Sequence, residues 1–135
     1  MRTIVLDTNC LIVILPSKSP FHNVWKELLS GNVQLCVTTE ILNEYEEILH
    51  QKIPFDVAEN VIQTILNFPE LKQVNPTYFW KLIKEDPDDN KFVDCAICGE
   101  AELIVTNDQH FNVLNEIDFP KVLIQRLEDF SRSLR

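Results

Sequence analysis

Glycine is scarce in this chain, since Gly31 and Gly99 are the only two among 135 residues. A Rossmann fingerprint and a P-loop each require at least two glycines within one tight turn. The two glycines stand far apart in the sequence, so both kinds of nucleotide-binding loop are excluded.

Long apolar runs are also missing, and no stretch is apolar for long enough to span a membrane. The first fifteen residues, MRTIVLDTNCLIVIL, are nearly as apolar as a signal peptide. Asp7 and Asn9 interrupt them, however, and no small-residue cleavage site follows. We therefore expect a cytoplasmic protein with one domain over residues 1–135, a length that suits one buried core.

Cysteine usage argues against a zinc site. The four cysteines are Cys10, Cys36, Cys95 and Cys98, and the C-x-x-C formed by the last two has no second pair to complete a zinc site. Both lie in a helical pattern, so we expect reduced, buried thiols there.

Positive charge is in short supply, with 12 lysines and arginines against 21 aspartates and glutamates, a net charge of −9. Proteins that grip nucleic acid through lysine and arginine alone are usually basic. The charge balance therefore disfavours a nucleic-acid partner, unless the carboxylates bind cations.

Strand and helix patterns alternate along the chain. Apolar, β-branched runs predict strands over residues 3–7, 33–37, 71–74, 103–106 and 122–124. Between and after them, helical spacing predicts helices over residues 20–31, 38–52, 55–68, 92–99, 110–117 and 125–135, with a helical turn or two over 77–83. This alternation is typical of a parallel sheet that is covered on both faces.

Two predicted strands end at an aspartate, Asp7 in IVLD and Asp108 in IVTND. In open α/β sheets, ligands bind beyond the carboxyl ends of the strands. If the two strands are neighbours, the two carboxylates share one edge of the sheet. An aspartate at a strand end often serves only as a turn former or helix cap, but this reading weakens for the two together.

The stretch EDPDDNKF, residues 85–92, holds four carboxylates in five positions. Counting back by three from Phe92 and by seven from Ala96 leads to Asp89 in both cases, so Asp89 should follow the apolar helix face toward the sheet. Asp94 falls nearly opposite that face, and we expect it to be solvated.

An inward-facing carboxylate is costly without a cationic partner. Pro87 and Asp88 are residue types that commonly begin a helix, which would place Asp89 at the N-terminus of the helix. Lys84 and Lys91 are the basic residues nearest in sequence, and either could pair with Asp89. A metal ion beside Asp89 is the more specific explanation of its inward position. The helix over residues 38–52 adds Glu44 and Glu46, one on each side of its apolar stripe, and spacing alone does not choose between them.

Three stretches of the chain, in this order, resemble the four motifs of the PIN-domain nucleases. VLDTN, residues 5–9, is similar to the opening D-[ST]-N signature, and EILNEYEEIL, residues 40–49, to the second motif. DPDDNKFVDCAICGEAELIVTND, residues 86–108, resembles the third and fourth motifs with the helix and strand that join them. The resemblance extends from the first strand to at least Phe111, and the ordered set of motifs is more specific than any one of them.

The resemblance assigns four acids as catalytic and metal-binding residues: Asp7, Glu44, Asp89 and Asp108. Asp88 stays open as the third acid because several adjacent carboxylates stand in that motif. Beside these acids, Asn9, Thr106 and Asp88 would orient carboxylates or waters.

The resemblance also implies a three-layer α/β/α sandwich with a central parallel sheet and a Mg²⁺- or Mn²⁺-dependent nuclease that hydrolyses RNA. Many small members are the toxin half of a toxin–antitoxin pair, so it implies an RNA substrate, a cognate antitoxin protein and a homo-oligomer. Hard divalent cations prefer oxygen ligands, which agrees with the acids present. The metal would let an acidic protein meet a phosphate backbone.

Other readings remain. A catalytically silent module with this fold would bind nucleic acid or protein without cutting; loss of an acid would favour it, and all four are present. A haloacid-dehalogenase-type phosphatase needs D-x-D where this chain has D-T-N, and a receiver domain needs a lysine at the end of a late strand, where Lys121 instead precedes one. His110, two residues past Asp108, is expected to be a surface or half-buried histidine.

Overall fold

The computed structural model describes residues 1–135 and contains one five-stranded sheet in which every strand pairing is parallel. The spatial order is β3-β2-β1-β4-β5. The parallel sheet predicted from the sequence is therefore confirmed, and only the last strand is displaced, to residues 124–125. The strands are β1 (Arg2–Leu6), β2 (Val33–Val37), β3 (Leu71–Gln73), β4 (Leu103–Val105) and β5 (Ile124–Gln125).

Six α-helices and two 3₁₀ turns connect the strands. None of these helices has both the length and the apolar character needed to cross a membrane. The α-helices are α1 (Thr8–Ile14), α2 (His22–Ser30), α3 (Thr39–Lys52), α4 (Phe55–Leu66), α5 (Asn90–Cys98) and α6 (Leu127–Ser133). The 3₁₀ turns are Pro87–Asp89, directly before α5, and Gln109–Glu116, directly after the carboxyl end of β4.

The central strand is buried on both of its faces. Ile4, Val5 and Leu6 are consecutive in β1, and each is fully buried. Because successive side chains of a strand point to opposite faces of the sheet, helices must cover both faces. This is the three-layer arrangement that the sequence resemblance implied.

Helix boundaries near the sheet edge follow local chemistry. Gly31 ends α2 with a φ of 80°, a left-handed conformation that glycine adopts without steric cost. At the other end of β2, Thr38 caps α3, because its hydroxyl accepts a hydrogen bond from the backbone N–H of Ile41 at 3.1 Å. The cap fixes the direction in which α3 leaves the carboxyl edge of the sheet.

The helical turn predicted over residues 77–83 is wrong, because this segment has no regular secondary structure. Its backbone groups bond to side chains of α5 instead of to one another. The N–H of Trp80 donates to Asp94 Oδ1 at 3.1 Å. Ile83 donates to Asn90 Oδ1 at 2.9 Å, and Asn90 Nδ2 donates back to the carbonyl of Ile83 at 2.8 Å. Helical spacing of the side chains could not reveal these competing bonds.

Two side chains of α5 lie where the sequence pattern did not place them. Asp94 was expected to be solvated but is only 6% exposed, because the segment over residues 77–83 covers that face of the helix. Burial raises its pKa, an effect that the Trp80 N–H opposes. Of the two cysteines expected to be buried, Cys95 is buried and Cys98 is exposed at the end of the helix.

Candidate active site

The two neighbouring strands β1 and β4 bring Asp7 and Asp108 to the same edge of the sheet. Their pairing joins Leu6 to Val105, and the N–H of Asp7 donates to the Val105 carbonyl at 3.1 Å. Thr106 lies between the two acids: its hydroxyl donates to Asp7 Oδ2 at 2.7 Å and accepts the N–H of Asp108 at 3.0 Å. One threonine hydroxyl therefore fixes the position of both acids.

Asp89 reaches the same place from the 3₁₀ turn before α5. Its side chain is 13% exposed, and its Oδ2 is buried without a hydrogen-bond partner. Asp86, Asp89, Asp108 and His110 each present one ligand atom, and these four atoms lie within 4.8 Å of one another. An unpartnered buried carboxylate oxygen is costly, so this group is well suited to receive a cation.

The electrostatics of the site are those of crowded carboxylates. Burial and the charges of Asp108 and Asp86 raise the pKa of Asp89 to about 7. Burial also raises the pKa of Asp7, although the hydrogen bond from the Thr106 hydroxyl and the nearby backbone N–H of Asn9 oppose that rise. Asp7 and Asp89 therefore resist ionisation in the absence of a cation.

His110 and Asp86 are the two members of this group that sequence reasoning did not assign to the site. His110 is half-buried, as expected, and its backbone N–H donates to Oδ1 of Asp108, which caps the following 3₁₀ turn, at 2.9 Å. Its Nδ1 lies 3.1 Å from Asp108 Oδ1 and 3.8 Å from carboxylate oxygens of Asp86 and Asp89. The only signal in the sequence was proximity, two residues after Asp108 and three before Asp89.

Glu44 approaches from α3, beside these acids, and both of its oxygens are engaged. Oε1 lies 2.7 Å from Nζ of Lys91, and Oε2 accepts a hydrogen bond from the hydroxyl of Thr8. The next residue, Tyr45, is buried and donates its hydroxyl to the carbonyl of Leu6 at 2.5 Å, which ties α3 to the end of β1. Glu46, the alternative that spacing left open, is exposed.

Lys91 neutralises this second acidic group instead of Asp89, contrary to one of the pairings suggested from the sequence. Its Nζ contacts Glu44 and, at 2.8 Å, Asp88 Oδ1. Burial would lower the pKa of Lys91, but the two acids raise it overall, and Lys91 in turn lowers the pKa of Asp88. Asp88 is exposed and faces Lys91, whereas Asp89 faces Asp108.

Asn9 stands in the first turn of α1, directly beyond Asp7. Its side chain is exposed and makes no hydrogen bond. Its backbone N–H lies near the Asp7 carboxylate and lowers that group's pKa. The effect of Asn9 on the site in this structure therefore comes from its main chain.

The donor set suits a divalent cation of the hard or borderline class. Three of the four clustered ligands are carboxylates and the fourth is an imidazole. Carboxylates favour Mg²⁺ and Mn²⁺, whereas a tetrahedral zinc site would favour thiolates and more imidazoles. The unpartnered oxygen of Asp89 and the unpartnered Nδ1 of His110 both fit such an ion.

Comparisons with known proteins agree with this geometry. A family model described as a PIN domain matches residues 3–110. Among solved structures, a chain from "Crystal structure of VapBC2 from Rickettsia felis bound to a DNA fragment from their promoter" is similar, with a TM-score of 0.61 and 20% sequence identity over 92% of this chain and 98% of that chain. A search of curated protein sequences gave no significant match.

At 20% identity, the likeness to the solved structure shows only that the fold is shared. The match to the family model covers more than half of the chain and therefore shows the family. It begins inside the first strand and ends at His110, so it takes in every acid of the site. This chain belongs to the PIN-domain family, a family of nucleases.

Proposed function

We propose that the protein is a Mg²⁺- or Mn²⁺-dependent ribonuclease that hydrolyses phosphodiester bonds of RNA. One observation supports this most directly. Asp89 and Asp108 lie in one group of clustered ligand atoms, and Asp7 lies at the same edge of the sheet, joined to Asp108 through Thr106; no lysine or arginine forms an ion pair with any of the three. A divalent cation is the partner that such a group lacks.

In this proposal, Asp7, Asp89 and Asp108 hold the ion, and Glu44 is the fourth acid. A bound divalent cation would supply positive charge for the scissile phosphate and acidity for the attacking water. Thr106 keeps the carboxylate of Asp7 in position through its 2.7 Å hydrogen bond. Asp86 and His110, which sequence reasoning did not assign, would add to the ligand set.

The net charge of −9 does not contradict an RNA substrate in this proposal. A metal ion inverts the local charge at the carboxylates, so a phosphate can approach an edge that repels it in the absence of metal. Without metal, the same carboxylates repel one another and RNA alike. We therefore expect cleavage only with metal, and RNA binding that is tighter with metal than in its absence.

We further propose that the protein is the toxin half of a toxin–antitoxin pair. The fold is shared with a chain whose crystal structure is that of VapBC2 bound to promoter DNA. The proposed partners are the RNA substrate, a cognate antitoxin protein and a second copy of this chain. Induced expression in a bacterial host should arrest growth, and Asp7→Asn should relieve the arrest at equal protein abundance.

The cleavage test uses a labelled generic RNA incubated with Mn²⁺, with Mg²⁺ and with EDTA. The proposal expects cleavage with either ion and none with EDTA, and a DNA strand of the same sequence should be cut more slowly. Asp56→Asn is the matched control, because Asp56 is an exposed carboxylate in the first turn of α4. If the wild type binds metal and RNA but cuts neither strand, the protein is a silent binding module instead.

A further inference from the structure

Residues 78–84, the sequence YFWKLIK, expose aromatic side chains close to the acid cluster. Tyr78 is 65% exposed and Phe79 is 61% exposed. The rings of Tyr78 and Trp80 meet edge to face at 4.7 Å, and Phe119, itself 83% exposed, lies 6.1 Å beyond Trp80. Adjacent exposed aromatics are unusual on a soluble surface and commonly mark a binding face.

This segment is fixed in place although it has no regular secondary structure. Asp94 and Asn90 of α5 bond to the backbone at Trp80 and Ile83, and the side chain of Ile83 is buried in the core. Between these anchors, Lys81 has a φ of 55°, in the left-handed region. The exposed side chains are therefore presented by an ordered backbone that is attached to the same helix as the site.

Two lysines of the segment carry charge that the protein does not neutralise. Lys81 and Lys84 are exposed, and neither forms an ion pair, in a chain with nine more acidic than basic side chains. By contrast, the nearby Lys91 is fully paired with Glu44 and Asp88. The two free ammonium groups are available to an anionic partner.

Two grooves run along the two sides of these lysines, and the first connects them to the acid cluster. One, of about 540 Å³, is lined by Lys81, Lys84, Glu85 and His110, and His110 lies 3.1 Å from Asp108. The other, of about 590 Å³, is lined by the same lysines together with Phe79. Acidic side chains also line both grooves. The first contains Glu85, and the second contains Glu40, Asp88 and Asp94.

We propose that residues 78–84 form a binding subsite for single-stranded RNA, in which Phe79 stacks on a base and Lys81 and Lys84 contact phosphates. Proteins that bind single strands combine aromatic platforms with cationic groups along the backbone path. A duplex would offer the phosphates but not the base faces. The subsite rests on the proposed ribonuclease function, because the first groove leads from the lysines to His110 and the acid cluster.

The test measures binding separately from cleavage. A fluorescein-labelled eight-nucleotide RNA, U₈ or A₈, is titrated with the full chain in EDTA at several salt concentrations, and its anisotropy is recorded. The variants are Phe79→Ala and the double variant Lys81→Gln with Lys84→Gln. The matched controls are Phe55→Ala, a ring that is 67% exposed, and Lys52→Gln, both near the end of α3 that points away from the site.

The two kinds of variant should differ in their dependence on salt. Removing both lysines should lower the slope of log Kd against log salt by about 1.4, at about 0.7 per phosphate contact in a single strand. Phe79→Ala should weaken binding at least about fivefold without a change in slope, because stacking releases no counterions. In Mn²⁺ cleavage assays, both should raise KM and leave kcat nearly unchanged.

Equal affinity of wild type and both variants for RNA would overturn the subsite and leave the nuclease proposal intact. The same holds if only binding of a protein partner changes, which would make the segment a protein-binding face. Equal losses in the Phe55 and Lys52 controls would also overturn it, since the effect would then be non-specific. Absence of cleavage by a wild type that binds RNA in this way would instead contradict the proposed function alone.

Discussion

Two acidic groups lie side by side at the carboxyl edge of the sheet, and they differ in whether the protein supplies a cation. Glu44 and Asp88 surround Lys91, whose side chain is only 6% exposed. Asp7, Asp89 and Asp108 have no lysine or arginine partner, and one oxygen of Asp89 is buried without any partner. Both groups consist of carboxylates, yet only in the first does a lysine of the protein balance part of their negative charge.

The difference shows how a stable fold can keep a reactive site. The group around Lys91 ties α3 to α5 and makes a permanent contact between two helices. The unpaired group has a net negative charge that the rest of the fold must stabilise, which is common at functional sites. A cation from solution would make the second group resemble the first.

The largest expected effect comes from removing one carboxylate of the unpaired group. Asp7→Asn should lower RNA cleavage by more than about a hundredfold, because it removes a proposed metal ligand that Thr106 holds in place. The metal-free variant should unfold at the same temperature as the wild type or higher, because a repelling charge is gone. Single-turnover cleavage and circular dichroism measure the two effects. Wild-type cleavage by this variant, with Asp56→Asn as reference, would refute the assignment.

The paired group should respond to mutation through stability. Lys91→Met leaves Glu44 without its cation, so the free energy of unfolding should fall by about 2–4 kcal/mol. Adding Glu44→Gln should restore part of that loss, since the unpaired charge is then removed. Urea denaturation of the single and double variants measures the coupling. An unchanged midpoint in Lys91→Met would show that the two groups do not differ in the way described.

A smaller effect should appear in the pH dependence of metal-free stability. The pKa of Asp89 is about 7 in the folded protein, above its value in the unfolded chain. Between about pH 4 and pH 7, the folded protein therefore keeps a proton on Asp89 that the unfolded chain has lost. The free energy of unfolding falls as the pH rises through this window. The Tm in EDTA should be higher at pH 5.5 than at pH 8, and Asp89→Asn should reduce this difference. A Tm that rises over the same range in the wild type would contradict the assignment.

The sequence was sufficient for the parts of the site that depend on periodicity. Strand patterns ending at Asp7 and Asp108 predicted two acids at one edge, and the parallel pairing of β1 with β4 confirms their shared edge. Counting along α5 placed Asp89 toward the sheet, and its buried oxygen agrees. These are regular elements in which the side-chain direction follows from position alone.

The predictions that were wrong or incomplete concern residues whose positions depend on irregular backbone or on contacts between distant segments. Asp94 was expected to be solvated, but residues 77–83 cover it, and the N–H of Trp80 in that segment donates a hydrogen bond to its carboxylate. The partner of Lys91 could not be chosen because Glu44 comes from a distant helix. His110 and Asp86 were passed over because a 3₁₀ turn and a loop, which have no fixed spacing rule, bring them to the site. Contacts between distant segments are set by tertiary packing and leave no period in the sequence.

Binding of Mn²⁺ by titration calorimetry tests the comparison between the two acidic groups most directly. The wild type should bind Mn²⁺, and Asp89→Asn should weaken binding at least about tenfold because it removes a carboxylate of the unpaired group. Asp88→Asn, one residue away but facing Lys91, should bind Mn²⁺ as the wild type does. No binding by the wild type, or equal losses in the two variants, would contradict the account.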